Sequence, residues 1–279
     1  MGELLQARVG VVGHTEWADF AITERLPRPG EILHIQEFWD EAAGGGAVAA
    51  VQMLKLTGAA LMFTALADDA HGRRTVEQLE RHGVRVRAGR RDGRQRRGFV
   101  FLTDDGERTI TVLGERLVPH ADDGLPWDEL AALDGIYVTG GDGGALEAAR
   151  RARVLVATPR AGRALHEAGI AVDVLVHSGS DAGEKVDVDA LDPAPRTVVT
   201  TMGSHGGRWE GEAGNGTWES EPLPGPRVDA YGAGDSFAAG LTTGLAAGMP
   251  IEQAVRLGAR CGAANMTGRG PYAGQLDLR

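Results

Sequence analysis

Cysteine, lysine and aromatic residues are scarce in this chain of 279 residues. Cys261 is the only cysteine, which excludes an intramolecular disulfide, a zinc ribbon and CxxC redox chemistry. Because Cys261 lies among small residues, we interpret it as a buried apolar side chain and not as a nucleophile. No aromatic residue interleaves with the arginines at positions 85–97, so we interpret that stretch as a charged turn between strands. With a net charge of −10, nucleic acid is not an expected partner.

Long apolar runs are missing as well. No stretch approaches the roughly 20 apolar residues that span a bilayer, and the first six residues lack the basic region that begins a signal peptide. We therefore expect a cytoplasmic protein without a membrane partner. The length allows one domain over residues 1–279, large enough to bury about three quarters of the surface of the unfolded chain.

Several nucleotide-binding signatures are also absent. Lys55 and Lys185 are the only lysines and neither follows a glycine, which excludes a P-loop. The protein-kinase HRD and DFG signatures do not occur. The segment Gly10–Gly13 lacks the complete glycine fingerprint of a dinucleotide site.

Hydrophobic periodicity predicts alternating strands and helices, which is typical of an α/β fold with a parallel core sheet. Buried strands are predicted at 8–13, 60–66, 84–86, 135–139, 154–157, 172–176 and 197–201. Helices are predicted at 47–56, 71–82, 235–247 and 251–266, and between the strands that start at 135, 154 and 172. An exposed strand at 32–38, and a hairpin of 99–102 and 109–113 with its turn at Asp104–Gly106, predict a small antiparallel addition.

The most specific motif is the sequence Gly-Ala-Gly-Asp at positions 232–235, directly before a predicted helix. Glycines allow a ligand to approach the backbone closely, and the free N–H groups of a first helical turn favour an anion. Asp235 could simply cap the helix, but capping does not explain the glycines on both sides of Ala233. Phosphoryl transfer explains both features, with the N–H groups stabilising the transferred phosphoryl group and Asp235 accepting the proton of the attacking hydroxyl.

At these residues the chain resembles the ribokinase/pfkB family of carbohydrate kinases, whose C-terminal signature is D-T-x-G-A-G-D-x-F. The sequence matches that signature at 229–237, with Ala230 in the Thr place. It also matches the R-L-P-x-P-G-E segment at 25–31, the Gly-Gly pair at 44–45 before a small-residue helix, the D-D-x-x-G segment at 68–72 and the T-x-G-x-x-G segment at 201–206. The resemblance covers nearly the whole chain.

The resemblance implies a three-layer ribokinase-like fold and ATP-dependent phosphorylation of a sugar or sugar-like metabolite, with Mg²⁺. It implies that Asp235 is the general base and that Gly232, Ala233 and Gly234 form the anion hole. Residues that would border ATP are Thr201, Gly203, Ser204 and Gly206, although an ordinary strand-to-loop turn is the alternative. Asp229 would help to hold a monovalent cation such as K⁺, or would act only as a structural turn residue.

Departures from the family pattern cluster where relatives bind the acceptor. Ala49 occupies the place of a usual Asn in the helix after Gly44 and Gly45. In the usual Asn-x-Asp pair after the first strand, Glu16 falls at the Asn place and Asp19 is one residue late. These two acids and the two glycines are the predicted acceptor-binding residues, with a solvated loop as the alternative for the acids. The N-x-x-E magnesium motif has only Ser178–Asp181 as a counterpart.

The resemblance further implies that segments 14–40 and 93–115 form a small β lid over the acceptor, and that two lids pack together in a homodimer. Two other functions stay open. A nucleoside kinase would need a base pocket, for which the candidates are Phe38, Trp39 and Phe99. A non-catalytic sensor would keep the fold and bind a sugar without turnover.

Overall fold

The computed structural model describes residues 3–35, 37–103, 108–185, 187–212 and 214–279. The turn predicted at Asp104–Gly106 lies outside the described residues, as does Gln36. In chain order the strands are β1 (Val9–Val12), β2 (Glu16–Thr23), β3 (Glu37–Ala43), β4 (Ala60–Ala67), β5 (Arg85–Arg91), β6 (Arg97–Thr103), β7 (Arg108–Leu113), β8 (Gly135–Val138), β9 (Val154–Ala157), β10 (Val174–Ser178), β11 (Thr197–Thr201), β12 (Gly207–Gly211) and β13 (Gly214–Trp218). The α-helices are α1 (Gly45–Thr57), α2 (Ala70–His82), α3 (Gly143–Ala149), α4 (Gly162–Ala168), α5 (Ala233–Ala246) and α6 (Ile251–Asn265).

A nine-stranded sheet forms the centre of the molecule, in the order β13-β12-β11-β10-β9-β8-β1-β4-β5. The seven strands from β11 to β5 are parallel, and β12 and β13 extend one edge as an antiparallel hairpin. Successive side chains of a strand point to opposite faces, so Val11 packs into one core while Val12 packs into the other. Helices α1, α5 and α6 cover the first core and α3 and α4 the second, which confirms the three-layer α/β prediction.

The ends of two helices follow directly from the sequence. Gly58 ends α1 at a φ of 80° and Gly83 ends α2 at a φ of 104°, which are conformations that favour glycine. Asp69 begins α2 by accepting a hydrogen bond from the Gly72 N–H at 2.8 Å. Cys261 is buried in α6, as predicted, and burial raises the pKa of its thiol to about 12.

A separate four-stranded sheet, in the order β3-β2-β6-β7, confirms the predicted small addition. Its outer pairs are antiparallel, while its central pair, β2 with β6, is parallel. The strand predicted at 32–38 is wrong in its limits, because β3 begins at Glu37 and residues 32–35 form no strand. Ile32 is 85% exposed, so its alternation with polar neighbours does not reflect a buried face.

Two further differences from the sequence-based expectations concern strands. The arginine-rich stretch is not only a turn, because its first half is β5 at the edge of the large sheet. Strands β12 and β13 were not predicted, since glycine is usually depleted in strands. Here glycine makes room for tryptophan: a β-carbon on Gly216 would lie 2.3 Å from the ring of Trp209. In the described part of the chain, no helix is long and apolar enough to cross a membrane.

Candidate active site

The first turns of α1 and α5 meet at the carboxyl ends of the central strands, the edge at which open parallel sheets bind ligands. Asp235 lies in the first turn of α5, and Gly45 is the first residue of α1. A β-carbon on Gly45 would lie 2.5 Å from Oδ1 of Asp235. The structure therefore brings Gly45 directly beside the predicted base, while Gly44 lies next to His14 and Glu16.

The Gly-Ala-Gly turn before Asp235 has one glycine with a conformational role and one without. Gly232 has a φ of 78°, and a β-carbon there would lie 2.8 Å from Val48. Gly234 has open space around its α-carbon. The backbone N–H groups of Gly234 and Asp235 donate to no acceptor within the described residues. Free N–H groups next to open space are what an anion at a helix N-terminus requires.

The Asp235 carboxyl is largely surrounded by protein, and this burial raises its pKa to about 6. The negative charge of Glu184 adds to the rise, while the cations Arg160, Arg108 and Arg116 oppose it. A carboxylate with a pKa near neutrality is a stronger base than an ordinary exposed aspartate and remains ionised at pH 7. The environment therefore suits Asp235 for proton transfer.

Glu184 is a site residue that the sequence analysis missed. It follows β10 and accepts hydrogen bonds from Arg160 Nε at 2.8 Å and from the Ser178 N–H at 2.8 Å. Arg160 also pairs with Asp181, at 2.6 Å. The predicted counterpart of the magnesium motif, Ser178–Asp181, therefore lies in this cluster, but Glu184 is the carboxylate that acts electrostatically on Asp235. Its position six residues after Ser178 does not fit the N-x-x-E spacing, which is why the motif did not reveal it.

Glu16 is buried in a network that reaches the glycine pair. Tyr231 Oη donates to Glu16 Oε1 at 3.0 Å and accepts from the Gly44 N–H at 3.2 Å. Arg96 Nε donates to Glu16 Oε2 at 3.1 Å. Glu16 therefore belongs to strand β2 and not to a solvated loop. Ala49, at the place of the usual Asn, is fully buried in α1.

Asp19 does not share the position of Glu16. Residues that are three apart on a strand point to opposite faces, and Asp19 pairs with Arg97 Nη2 at 2.5 Å on the outer face of the small sheet. Ala18, one residue earlier, is the neighbour on the Glu16 face and is fully buried. Asp19 stands one residue later than the Asp of the family pattern and therefore points away from Glu16. We do not propose Asp19 as an acceptor-binding residue.

Asp229 is almost fully buried and holds the backbone. It accepts hydrogen bonds from the Tyr231 N–H at 2.7 Å and the Gly270 N–H at 3.0 Å, and burial raises its pKa. Both contacts fix the turn that leads to Asp235. They account for Asp229 as a structural residue, which was the alternative to cation binding.

The T-x-G-x-x-G segment lies at the carboxyl end of β11, beside a cavity of about 580 Å³. Gly206 has a φ of 74°, and a β-carbon there would lie 1.9 Å from the Trp218 carbonyl oxygen. Gly203 has a φ of 56° and open space around it. The residues that line this cavity include Met202, His205, Gly207, Trp218, Glu221 and Arg256. Each of the predicted ATP-bordering residues is next to one of these in the sequence: Thr201, Gly203, Ser204 and Gly206.

Arg116 and His14 form a second group that the sequence analysis missed. Arg116 Nη2 donates to His14 Nδ1 at 2.7 Å and to the Thr139 carbonyl oxygen at 2.6 Å. Arginine cannot accept a hydrogen bond, so Nδ1 of His14 is the acceptor and the ring is neutral. Burial, together with the charge of Arg116, holds the pKa of His14 well below its usual range. An isolated arginine in a loop gave no sequence signal for this contact.

The aromatic residues proposed for a nucleoside base pocket do not converge. Trp39 stacks on Phe20 at 4.9 Å on the inner face of the small sheet. Phe99 contacts Phe101 at 4.8 Å on the outer face, and Phe38 is 75% exposed. A single base pocket cannot be built from Phe38, Trp39 and Phe99 in this arrangement.

The comparison with protein families agrees with this geometry. The family model described as pfkB family carbohydrate kinase matches residues 6–277. The chain belongs to this family. One relative of this pfkB family protein is fructoselysine 6-kinase of Escherichia coli (strain K12). The two sequences are 38% identical over 77 residues, which are 27% of this chain and 28% of the relative. Acarbose 7(IV)-phosphotransferase of Actinoplanes sp. is 39% identical over 84 residues, which are 29% of this chain and 28% of the relative.

Both of these alignments span less than a third of the relative's length. Solved structures match the whole pfkB fold at lower identity. The microbiome-derived acarbose kinase Mak1 has a TM-score of 0.79 at 22% identity, covering 98% of this chain and 97% of the other. Ribokinase from Giardia lamblia has a TM-score of 0.79 at 16% identity, covering 98% of each chain. These structural matches establish a ribokinase-like fold.

Proposed function

We propose that this pfkB family protein transfers the γ-phosphoryl group of ATP to a hydroxyl group of a small sugar or sugar derivative, with Asp235 as the general base. The observation that carries the proposal is the position of Asp235 at the meeting point of two helix N-termini, beside N–H groups that find no acceptor among the described residues. The names of the relatives, fructoselysine 6-kinase and acarbose 7(IV)-phosphotransferase, support a substituted sugar as the acceptor.

Each group has a chemical task in this proposal. Asp235 takes the proton of the acceptor hydroxyl as that oxygen attacks the γ-phosphorus, and ADP leaves with the electrons of the broken P–O bond. The N–H groups of Gly234 and Asp235 stabilise charge on the transferred phosphoryl group. Glu16, held by Tyr231 and Arg96, accepts a hydrogen bond from an acceptor hydroxyl. The residues Thr201, Gly203, Ser204 and Gly206 border ATP at the cavity beside β11.

Magnesium would contact the two carboxylates after β10, Asp181 and Glu184, through water molecules and not directly. Both Glu184 oxygens already accept hydrogen bonds, and Asp181 accepts from Arg160 and from the Gly183 N–H. Such groups orient waters around Mg²⁺, which commonly keeps several waters and binds nucleotide phosphates directly. The ion would neutralise phosphate charge. Dependence on K⁺ is not part of the proposal, since Asp229 has a structural role.

The small sheet is proposed to act as a lid. It carries Glu16 and Arg96, so closing it would complete the acceptor site and keep water from competing for the phosphoryl group. A nucleoside kinase is disfavoured because the candidate aromatic residues face opposite sides of the sheet. A sugar sensor without turnover is the other alternative, and the raised pKa of Asp235 favours the enzyme.

The decisive experiment measures ADP release with a panel of sugars, sugar derivatives and nucleosides, with thermal stabilisation as a parallel readout. Asp235→Asn keeps the size of the side chain but removes the base, and we expect kcat to fall by about 10²- to 10⁴-fold. ATP affinity should be retained, because the anion-binding groups are backbone. Turnover near the wild-type rate in the Asn variant would refute the assigned role, and stabilisation by a sugar without any ADP release would indicate a sensor.

A further inference from the structure

Arg116 lies at the carboxyl ends of β1 and β8, where it forms hydrogen bonds but no ion pair with another described residue. Its three hydrogen bonds go to neutral acceptors: His14 Nδ1, the Thr139 carbonyl oxygen and, from Nη1 at 2.6 Å, the Arg160 carbonyl oxygen. Within the described ranges, no carboxylate lies within the 4.0 Å of a salt bridge to Arg116. The neighbouring arginines differ in this respect, since Arg96 pairs with Glu16 and Arg160 pairs with Asp181 and Glu184.

The Arg116 guanidinium is charged and has unused donors. Burial lowers its pKa to about 10, so the group still carries its proton at pH 7. Guanidinium has five N–H donors; described residues accept from three of them, which leaves one donor on Nε and one on Nη1. A largely buried cation that is held only by neutral groups is costly, and a buried charge is normally paired. Asp235 attracts the Arg116 charge across the site, but among the described residues no carboxylate pairs with it directly, so a bound anion would supply the close partner.

The position of Arg116 assigns that anion to the acceptor side of the site. The His14 ring that Arg116 contacts packs against Gly44, where a β-carbon would lie 3.3 Å from Cδ2. Gly45, the next residue, faces Asp235. The nucleotide cavity instead lies beside β11 and β12, several strands away from β1 in the sheet order. A β-carbon on Gly44 would also lie 3.1 Å from the backbone nitrogen of Glu16, the proposed acceptor contact, so a group bound by Arg116 beside His14 lies on the acceptor side of Asp235.

We propose that the acceptor carries an anionic group, a carboxylate or a phosphate, which Arg116 binds in the closed site, and that this contact selects anionic sugar derivatives over neutral sugars. The inference rests on the proposed kinase function and specifies its substrate class. Hydrogen bonds to charged groups are about twice as strong as neutral ones, and guanidinium matches the geometry of both anions. His14 positions the guanidinium, because it remains neutral and accepts from Nη2.

The test uses pairs of acceptors in which one member carries an anionic group and the other lacks it. Fructosyl-glycine is compared with fructosyl-glycinamide for the carboxylate, and fructose 6-phosphate and fructose 1-phosphate are compared with fructose for the phosphate. For wild-type protein we expect kcat/KM to be about 10- to 100-fold higher for the anionic member of at least one pair. Equal or better kcat/KM for the neutral members in every pair would overturn the inference while leaving the kinase function intact.

Arg116→Gln should remove this preference: the ratio of kcat/KM for the anionic member to kcat/KM for the neutral member should fall by about 10- to 100-fold, through a rise in KM for the anionic acceptor. Arg116→Lys should restore part of it. Arg163→Gln, which removes an arginine that is 90% exposed, is the matched control. A fall in kcat for both members of a pair at unchanged KM would place Arg116 on the transferred phosphoryl group and refute the proposal.

The same acceptors also separate this inference from the kinase function itself. If no acceptor supports ADP release, the proposed function fails. Thermal stabilisation of the protein without ATP then decides the inference. Stabilisation by the anionic member, lost in Arg116→Gln and kept in Arg163→Gln, supports it, and equal stabilisation by both members, or by neither, refutes it.

Discussion

Gly45 leaves no room for a side chain in front of Asp235: a β-carbon at this position would lie 2.5 Å from Oδ1 of the carboxylate. Helix α1 therefore determines how close the acceptor-side backbone comes to the base. This relation explains why glycine, which stabilises a helix poorly, stands at the first position of α1.

Replacement of Gly45 by alanine should displace the Asp235 carboxylate. We expect a loss of roughly 10²-fold in kcat/KM, because displacing a catalytic group by about 1 Å can have an effect of that size. Gly162→Ala is the matched control, since Gly162 is the first residue of α4 and has open space around its α-carbon. Steady-state kinetics and the melting temperature of both variants check the prediction. A fully active, stable Gly45→Ala variant would contradict the close contact.

The pH dependence of turnover should report the ionisation of Asp235. Its carboxyl must be deprotonated to accept a proton, and its pKa is raised to about 6. We therefore expect kcat/KM to decrease as the pH falls through 6, by about tenfold per unit at lower pH. Glu184→Gln should move this acid limb to lower pH, since the negative charge of Glu184 contributes to the raised pKa. An acid limb that stays in place in Glu184→Gln would show that this carboxylate does not act on Asp235.

The same pKa has a consequence for stability. Because the folded-state pKa lies above the unfolded value near 3.8, the native protein binds the proton more tightly, and stability decreases as the pH rises from about 4 to about 6. Asp235→Asn removes this cost. At pH 8 we expect the variant to be more stable by about 1 to 2 kcal/mol, or about 3 to 6 °C in Tm, with the difference vanishing near pH 4.

Thermal melts across pH test this expectation. Asp128→Asn is the control, because the Asp128 side chain is 98% exposed. The control should show no stabilisation at pH 8. Equal melting temperatures of wild type and Asp235→Asn at pH 8 would mean that burial of the carboxylate has no cost.

The glycines of the anion hole should respond differently to the same substitution. Gly232→Ala meets both a positive φ and Val48, so we expect the free energy of unfolding to fall by about 1 to 3 kcal/mol. Gly234→Ala should fold normally, since the added β-carbon would meet no neighbouring atom within 4 Å, and it should raise KM for ATP or lower kcat by crowding the phosphate. Chemical denaturation and kinetics distinguish the two results. Full activity of Gly234→Ala would argue that no phosphate approaches this turn.

Most helices and strands could be predicted because their limits are marked by residues at their own ends. Helix α2 has an Asp69 cap at one end and Gly83 at the other, and both are visible in the sequence. Strands β12 and β13 could not be predicted in this way, because their glycines are required by the tryptophans of the facing strand. Knowing that Gly207 and Gly216 lie under Trp218 and Trp209 requires the strand pairing itself.

In the candidate site too, residues that are adjacent in sequence could be predicted, and residues that only the fold brings together could not. Asp235 and its glycines are contiguous, so one motif was enough to predict the base and the anion hole together. Glu184 and Arg116 reach the site from separate loops, and only the strand order brings them together. Asp19 lies one residue after the place of the family's Asp, and since one residue changes the face of a strand, it points away from Glu16.

The outer face of the small sheet carries the last prediction. Phe99 and Phe101 contact each other there, and Phe38 is 75% exposed on the same sheet. Apolar residues on an open sheet face favour cover by another surface, so we predict a homodimer through this face. Phe101→Asp should shift the mass measured by light scattering from two chains to one. A monomeric wild-type protein would refute the dimer.

Closure of the lid has a separate test, which is hydrogen exchange of the backbone amides of β2 and β6. Closure is refuted if this exchange does not slow when acceptor binds.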